Sequence, residues 1–198
     1  MVKRCFDFFL SFFGLLVLLP LFLIVALFIK LDSSGPVFYR QERVGRLGEV
    51  FLIHKFRTMG VRLKKDSQLT IGNDVRITRV GSFLRKYKID ELPQLIDVLI
   101  GRMSIVGPRP EVEEFMNLYP PDIRQKVLSV RPGITDLASI EMIDENSILA
   151  KFDDPRVAYI EKILPVKQHY YTDYVDNRSM VFDIKIIFLT IKKILVRN

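Results

Sequence analysis

The sequence has no tryptophan, a single cysteine, Cys5, and two histidines, His54 and His169. One thiol cannot close an intramolecular disulfide, so nothing points to an oxidising compartment, and Cys5 reads as an inert thiol in an apolar segment. The histidines lie far apart and lack metal-site spacing, which argues against zinc. The usual nucleotide signatures are missing as well: there is no G-x-G-x-x-G after a strand, no G-x-x-x-x-G-K-[ST] and no D-x-D triplet. No internal repeat or low-complexity tract interrupts the chain.

What is there is apolar and basic. The chain's 198 residues suffice for one domain with a core plus a small appendage. Lys and Arg number 30 against 23 Asp and Glu, a formal net charge of +7. That balance suits nucleic acid, anionic lipid headgroups or phosphorylated substrates, and charge alone does not choose among them. Apolar residues make up 49% of the chain, with 15 Phe. They concentrate at the start, where only Ser11, Gly14 and Pro20 interrupt the run from Phe8 to Ile29. A bilayer-spanning helix needs about 20 apolar residues, so a crossing helix is the plain reading. A secretory signal is weaker, because no small-x-small cleavage site follows. Pro20 opens another alternative: a helix kinked there could enter the membrane and return to the same face. Both flanks, Lys3-Arg4 and Lys30, are basic and give no strong orientation for a crossing.

Beyond Asp32-Ser33-Ser34-Gly35-Pro36 the sequence becomes globular, giving a membrane segment over residues 1–32 and a globular domain over 33–198. Val37–Gln41 and Val50–His54 read as strands of a hairpin around Gly45–Gly48. Lys64–Asn73 reads as loop, Gly81–Tyr87 and Leu92–Ile100 as short helices, and Pro155 opens a helix towards Leu164. Gly107-Pro108-Arg109-Pro110 and Arg131-Pro132-Gly133 read as extended segments. From Met180 to Val196 the pattern is an amphipathic helix, with Ile184, Ile187, Ile191, Ile194 and Leu195 on one face and Lys185, Lys192, Lys193 and Arg197 around it. A core-facing helix and a helix lying in the membrane interface explain it equally well.

Chemistry concentrates in Asp90-Glu91-Leu92-Pro93. As structure, this is a helix start, with Asp90 as N-cap, Glu91 complementing the dipole and Pro93 in the first turn. As function, it is a carboxylate pair: one attacks phosphorus while its neighbour holds Mg²⁺ against phosphate oxygens. The two readings are compatible. Basic residues sit in restrained motifs: Lys55 and Arg57 in Lys55-Phe56-Arg57-Thr58-Met59, Arg85, Arg109 between Pro108 and Pro110, and Arg131 before Pro132. An arginine fixed between prolines presents its fork at low entropic cost, which suits a diphosphate.

These motifs, in this order, resemble the small monotopic phosphoglycosyl transferases, the bacterial sugar transferases that begin lipid-linked glycan assembly. The resemblance covers most of the chain. It runs through the proline-containing apolar start, Phe38-Tyr39-Arg40-Gln41-Glu42-Arg43-Val44-Gly45, Lys55–Met59, Asp90-Glu91-Leu92-Pro93-Gln94-Leu95, Met103–Pro110 and Arg131-Pro132-Gly133-Ile134-Thr135. It implies a helix-rich α+β fold: an N-terminal re-entrant membrane hairpin broken at Pro20, and a compact cytoplasmic α/β domain whose amphipathic helices rest on the interface. It implies an enzyme at the cytoplasmic face of the bacterial inner membrane, among its lipids. Asp90 would be the nucleophile and Glu91 the Mg²⁺ ligand, with Lys55, Arg57, Arg85, Pro108, Arg109 and Arg131 around the phosphates. The substrates would be a UDP-sugar and a polyprenyl (undecaprenyl) phosphate, and a homodimer is compatible with the sequence. The chain departs from the family pattern at three places: Leu19 where many members have Ser before the proline, Asp136-Leu137-Ala138-Ser139 where many read Gly-Trp-Ala-Gln, and Tyr171 in place of an Asp. They bear on the sugar more than on the reaction. The rival readings are a non-catalytic membrane scaffold, which leaves Asp90-Glu91 unexplained, and a basic nucleic-acid binder, for which no basic tract interleaved with aromatics exists.

Overall fold

The computed structural model describes residues 2–60, 74, 76–142 and 145–196. It is a helix-rich α+β structure. The apolar start forms one helix, α1 (Val2–Asp32), of 31 residues. Pro20 lies inside it without dividing it, so the expected pair of membrane helices is a single element. A proline removes one backbone hydrogen bond and tends to bend a helix, and that loss need not end it.

The less exposed positions of α1 follow a stripe, Asp7, Ser11, Gly14, Leu18, Leu21, Val25 and Ile29, at steps of three or four. That stripe faces the rest of the protein, while Phe9, Phe13, Val17, Ile24, Phe28 and Leu31 are exposed. Both ends of α1 are tied to the same body. At the start, Arg4 donates to the carbonyls of Val98 (2.6 Å) and Leu99 (2.7 Å), and Asp7 accepts from the Ile105 amide at 3.1 Å. At the end, the Asp32 carboxylate accepts from the Val80 amide at 3.0 Å, and Val25 and Ile29 pack with Phe56 and Leu84.

The hairpin appears as β1 (Phe38–Val44) and β2 (Val50–Phe56), antiparallel, with Tyr39 opposite Lys55 and Val44 opposite Val50. Each strand is two residues longer than expected: β1 starts one residue later and ends three later, and β2 ends two later. Thr78 caps α2 (Arg79–Lys86) by accepting from the Gly81 amide at 2.9 Å. A single 3₁₀ turn, Ile89–Glu91, precedes α3 (Gln94–Leu99). Asp90 is therefore inside a turn rather than at an N-cap; Lys88, in the left-handed region at φ 58°, holds the capping position of that turn. The predicted loop at Lys64–Asn73 lies outside the described residues.

The two proline-rich segments meet. β3 (Ser104–Val106) and β4 (Gly133–Thr135) form a parallel pair, spanned by α4 (Glu113–Met116) and α5 (Pro121–Leu128). α6 (Leu137–Glu141) and α7 (Glu145–Leu149) follow. α8 (Pro155–Ala158) continues through a π turn into α9 (Leu164–Asn177), so helix extends well past the expected end at Leu164. α10 (Met180–Val196) closes the fold. The predicted apolar face of α10 is split. Asp183, Ile186 and Ile187 face the core, and Ile184, Phe188, Ile191 and Leu195 form an exposed stripe at i, i+4, i+7 and i+11.

The strand crossing depends on two glycines. A Cβ on Gly133 would sit 2.1 Å from the Gly107 nitrogen, and one on Gly107 2.6 Å from the Arg131 carbonyl oxygen. Gly133→Ala is expected to destabilise the fold by at least about 3 kcal/mol, the upper part of the range for overpacking. That is a fall in melting temperature of roughly 6–12 °C at this size. Gly60→Ala, where a Cβ meets nothing within 4 Å among the described residues, should leave it unchanged. Equal melting temperatures for the two variants would remove the close approach as an explanation.

Candidate active site around Asp90 and Glu91

Three segments converge on Glu91. β2 delivers Lys55 near its end, the turn after Lys88 delivers the carboxylates, and the loop leaving β3 delivers Arg109, clamped between Pro108 and Pro110. Lys55 Nζ donates to Glu91 Oε1 at 2.8 Å. Arg109 engages Glu91 with both arms of its fork, Nη1 to Oε2 at 2.9 Å and Nη2 to Oε1. Burial would push the Glu91 carboxyl up, but Arg109 and Lys55 outweigh it and hold it well below the usual carboxylate range. Lys88 adds positive charge to both carboxylates. It is a site residue that the sequence reading missed, although it stands only two residues before Asp90.

Asp90 is the opposite case. It is 8% exposed, and its Oδ1 has no hydrogen-bond partner among the described residues. Burial and then the neighbouring Glu91 charge push its carboxyl up, against Lys55, Lys88 and Arg85. Two adjacent carboxylates are thus driven apart: Glu91 is held in its ionised form, and the Asp90 carboxyl is pushed up and has an oxygen without a partner among the described residues. Lys55 is itself pulled below its ordinary value by burial, with Glu91 opposing.

The other predicted basic residues divide. Arg85 is part of the Asp90 surroundings, and its Nε donates to Thr58 Oγ1 at 2.8 Å. Arg57 is not brought to Glu91. It is 5% exposed and donates to the carbonyls of Ile29 (3.3 Å), Ser33 (2.7 Å) and Ser34, closing the C-terminal end of α1. Arg131 donates from Nε to the Gly101 carbonyl at 2.7 Å and is half-buried. The Pro108 carbonyl accepts from the Gly133 amide at 2.9 Å, which ties the Arg109 loop to β4. A small surface cleft beside Arg109 is lined by Val44, Pro108, Pro110, Met116, Val127 and Val130.

Behind Arg109 lies a second polar cluster that the sequence reading did not find. Tyr159 donates to Glu111 at 2.9 Å, Lys167 donates to Tyr159 at 2.9 Å, and Lys167 pairs with Glu145 at 3.0 Å. Arg43 donates to the Pro110 carbonyl at 3.0 Å. Asp136 caps α6, and the Tyr171 hydroxyl, buried nearby, has no partner among the described residues. These residues are dispersed in sequence, and no short motif joins them.

No group of three or more His, Cys, Asp or Glu gathers among the described residues. An all-protein metal cage is therefore absent there. Two adjacent carboxylates, one with an unpartnered buried oxygen, nevertheless suit Mg²⁺, which commonly takes one or two carboxylates and completes its shell with substrate phosphates and water.

Comparison with known proteins identifies the family. Residues 1–197 match the family described as bacterial sugar transferase. The chain is 40% identical to an exopolysaccharide production protein, PSS, of Rhizobium leguminosarum bv. phaseoli, covering all of this chain and 96% of that protein. It is 39% identical to a UDP-glucose:undecaprenyl-phosphate glucose-1-phosphate transferase of Escherichia coli and 36% identical to a UDP-N-acetylgalactosamine-undecaprenyl-phosphate N-acetylgalactosaminephosphotransferase of Aeromonas hydrophila. Each of those alignments covers 98% of this chain, but only 40% and 44% of those longer proteins. With the match running from the apolar helix through the carboxylate pair to α10, the chain belongs to the bacterial sugar transferases.

Proposed function

We propose that the protein transfers a phospho-sugar from a UDP-sugar to a polyprenyl phosphate, such as undecaprenyl phosphate, releasing UMP. The observation that carries this reading is the unpaired, buried Asp90 carboxylate beside a Glu91 clamped by Lys55 and Arg109. An Asp90 oxygen attacks the β-phosphorus; the bond from that phosphorus to the bridging oxygen breaks and UMP leaves with the electron pair. A phospho-sugar remains on the carboxylate. A phosphate oxygen of the lipid then attacks the same phosphorus, the acyl-phosphate bond breaks, and Asp90 is regenerated as polyprenyl-diphospho-sugar forms. Lys55, Lys88, Arg85 and Arg109 offset the negative charge that gathers on the phosphoryl oxygens. Glu91, with Asp90 beside it, would hold Mg²⁺, which supplies further charge neutralisation on the diphosphate.

Three features support work at a membrane surface. α1 is long and apolar enough to cross a bilayer. Straight, its 31 residues would span about 46 Å, yet residues at both ends bond to one body. The exposed apolar faces of α1 and α10 need a covering that water does not provide. These support a helix that enters from the cytoplasmic face of the inner membrane and keeps both ends there. The acceptor's tail stays in the bilayer while its phosphate lies at the interface.

The test is incubation with labelled UDP-sugars, starting with UDP-glucose and UDP-N-acetylgalactosamine, in Mg²⁺ and without lipid acceptor. The expected result is stoichiometric UMP release with label retained on the protein at Asp90, then discharge to lipid when polyprenyl phosphate is added. Direct attack by the lipid predicts no labelled protein and intersecting kinetic lines; either result would replace the covalent scheme.

A pH profile of loading provides a second check. Asp90 attacks only when ionised, and its pKa is raised by burial and Glu91, so loading falls on acidification above the ordinary aspartate value. On the alkaline side, Lys55 loses its proton below its usual value and frees Glu91. The profile is therefore bell-shaped, and an acid limb near the free aspartate value of about 3.9 would contradict the assignment.

A further inference from the structure

Three charged residues, Lys3, Arg4 and Asp7, occupy the first two turns of α1, and the proposed chemistry uses none of them. Their bonds run to the two segments that carry the site. Arg4 holds the last carbonyls of α3, the helix that begins just after Glu91. Asp7, 2% exposed, holds the Ile105 amide and the Ser104 hydroxyl of β3, each at 3.1 Å. Lys3 donates to the Val106 carbonyl at 3.1 Å and pairs with the Asp183 carboxylate of α10. The Tyr174 hydroxyl lies 3.0 Å from that carbonyl and 2.8 Å from Asp183 Oδ1. Lys3 and Tyr174, both bonded to Asp183, thus converge on the carbonyl of Val106, the last residue of β3, three positions before Arg109.

We propose that Lys3, Asp183 and Tyr174 are positioning residues that fix the Val106 carbonyl and so the register of the Arg109 fork on Glu91, which makes catalysis depend on α1 and α10 being seated together. This rests on the phosphoglycosyl transfer reading. The physical case is economy of means. Apolar packing would hold α1 to the body without burying Asp183, which is 1% exposed, and its pairing with the partly exposed Lys3 adds little stability over apolar contacts. What they add is direction, and here the direction is towards a single carbonyl on the arm that presents Arg109. A misplacement near 1 Å in such an arm is enough to slow chemistry by about 100-fold.

The test uses the full chain in phosphatidylethanolamine–phosphatidylglycerol vesicles, with whichever UDP-sugar releases UMP. The readouts are the single-turnover rate of protein loading at saturating donor and the melting temperature. Lys3→Met and Asp183→Asn are each expected to slow loading roughly 10-fold and Tyr174→Phe roughly 3-fold, with Lys3→Arg restoring most of the rate. In an Arg109→Lys background, Asp183→Asn should slow loading less than about 2-fold further, because its effect passes through Arg109. Wild-type loading rates in the Asn and Phe variants would overturn the proposal, as would an equal slowing in both backgrounds, which marks general destabilisation. If Asp183→Asn does not fold, Tyr174→Phe, which removes one hydroxyl, carries the same decision. Wild-type protein is the control: if it loads no label, the transfer reading fails, whereas loading by wild type and variants alike removes only this inference.

Discussion

Asp90→Asn is expected to abolish label transfer to the protein and to lower overall turnover by roughly 10⁴-fold or more, as removal of an attacking group does in covalent enzymes. The same substitution should leave the melting temperature unchanged or slightly raised. The sign follows from the titration. The folded-state pKa of Asp90 lies above its unfolded value, so the fold disfavours the ionised form. Above that pKa the carboxylate opposes folding, and the opposition disappears only as acid protonates it. Asparagine is neutral and of the same size, so it removes the penalty at neutral pH. A residue that harms stability while being indispensable for activity is the pattern expected of a reactive group held in place by its surroundings. Substantial turnover by the Asn variant would assign the nucleophile elsewhere. A large loss of stability would mean that Asp90 has a structural partner after all.

Much of the site could be read from sequence because its chemistry is local. Asp90 and Glu91 are adjacent, Lys55 stands in a short motif, and Arg109 is marked by the prolines on both sides. The hairpin was legible for the same reason, since β-rich runs around a Gly-containing turn are a short-range signal; the sequence places the start of α2 at Gly81, two residues after it begins. Arg57 shows where that reasoning stops. Its motif looks like Lys55's, yet the guanidinium closes the end of α1, a partner more than twenty residues away that no spacing rule names. The β3–β4 pair was hidden in the same way, since two three-residue strands give too little periodicity and the crossing is set by Gly107 and Gly133 in contact. Tyr159 and Lys167, on the continuous helix of α8 and α9, meet Glu111 of the loop before α4 only after folding. α10 was half legible: the apolar surplus was plain, but which part of it faces the core is decided by Asp183 turning inward to Lys3.

Glu91→Gln should be more damaging to the fold than Asp90→Asn and comparably damaging to activity. Glu91 has a side chain 12% exposed and is the only carboxylate bonded to both Lys55 and Arg109 among the described contacts. Glutamine keeps the length and one acceptor but removes the charge between two cations, themselves 16% and 25% exposed. Breaking one side of such a buried pair typically destabilises by about 3–5 kcal/mol, because the remaining charge is left uncompensated. For a protein of this size that is a fall in melting temperature of roughly 6–20 °C. The pH dependence has the opposite sign to that of Asp90. Glu91's folded pKa is depressed, so its stabilisation is present above the unfolded value and is lost as pH falls through the folded value. The gap between wild type and the Gln variant should therefore be full at neutral pH and close only in strongly acidic solution. Combining Glu91→Gln with Arg109→Met removes one of the two stranded cations, so the double variant should recover part of the stability and none of the turnover. Thermal unfolding across pH and the loading assay together separate these effects. Full recovery of activity in the double variant would show that Glu91 and Arg109 serve only each other, and would remove both from the transfer chemistry.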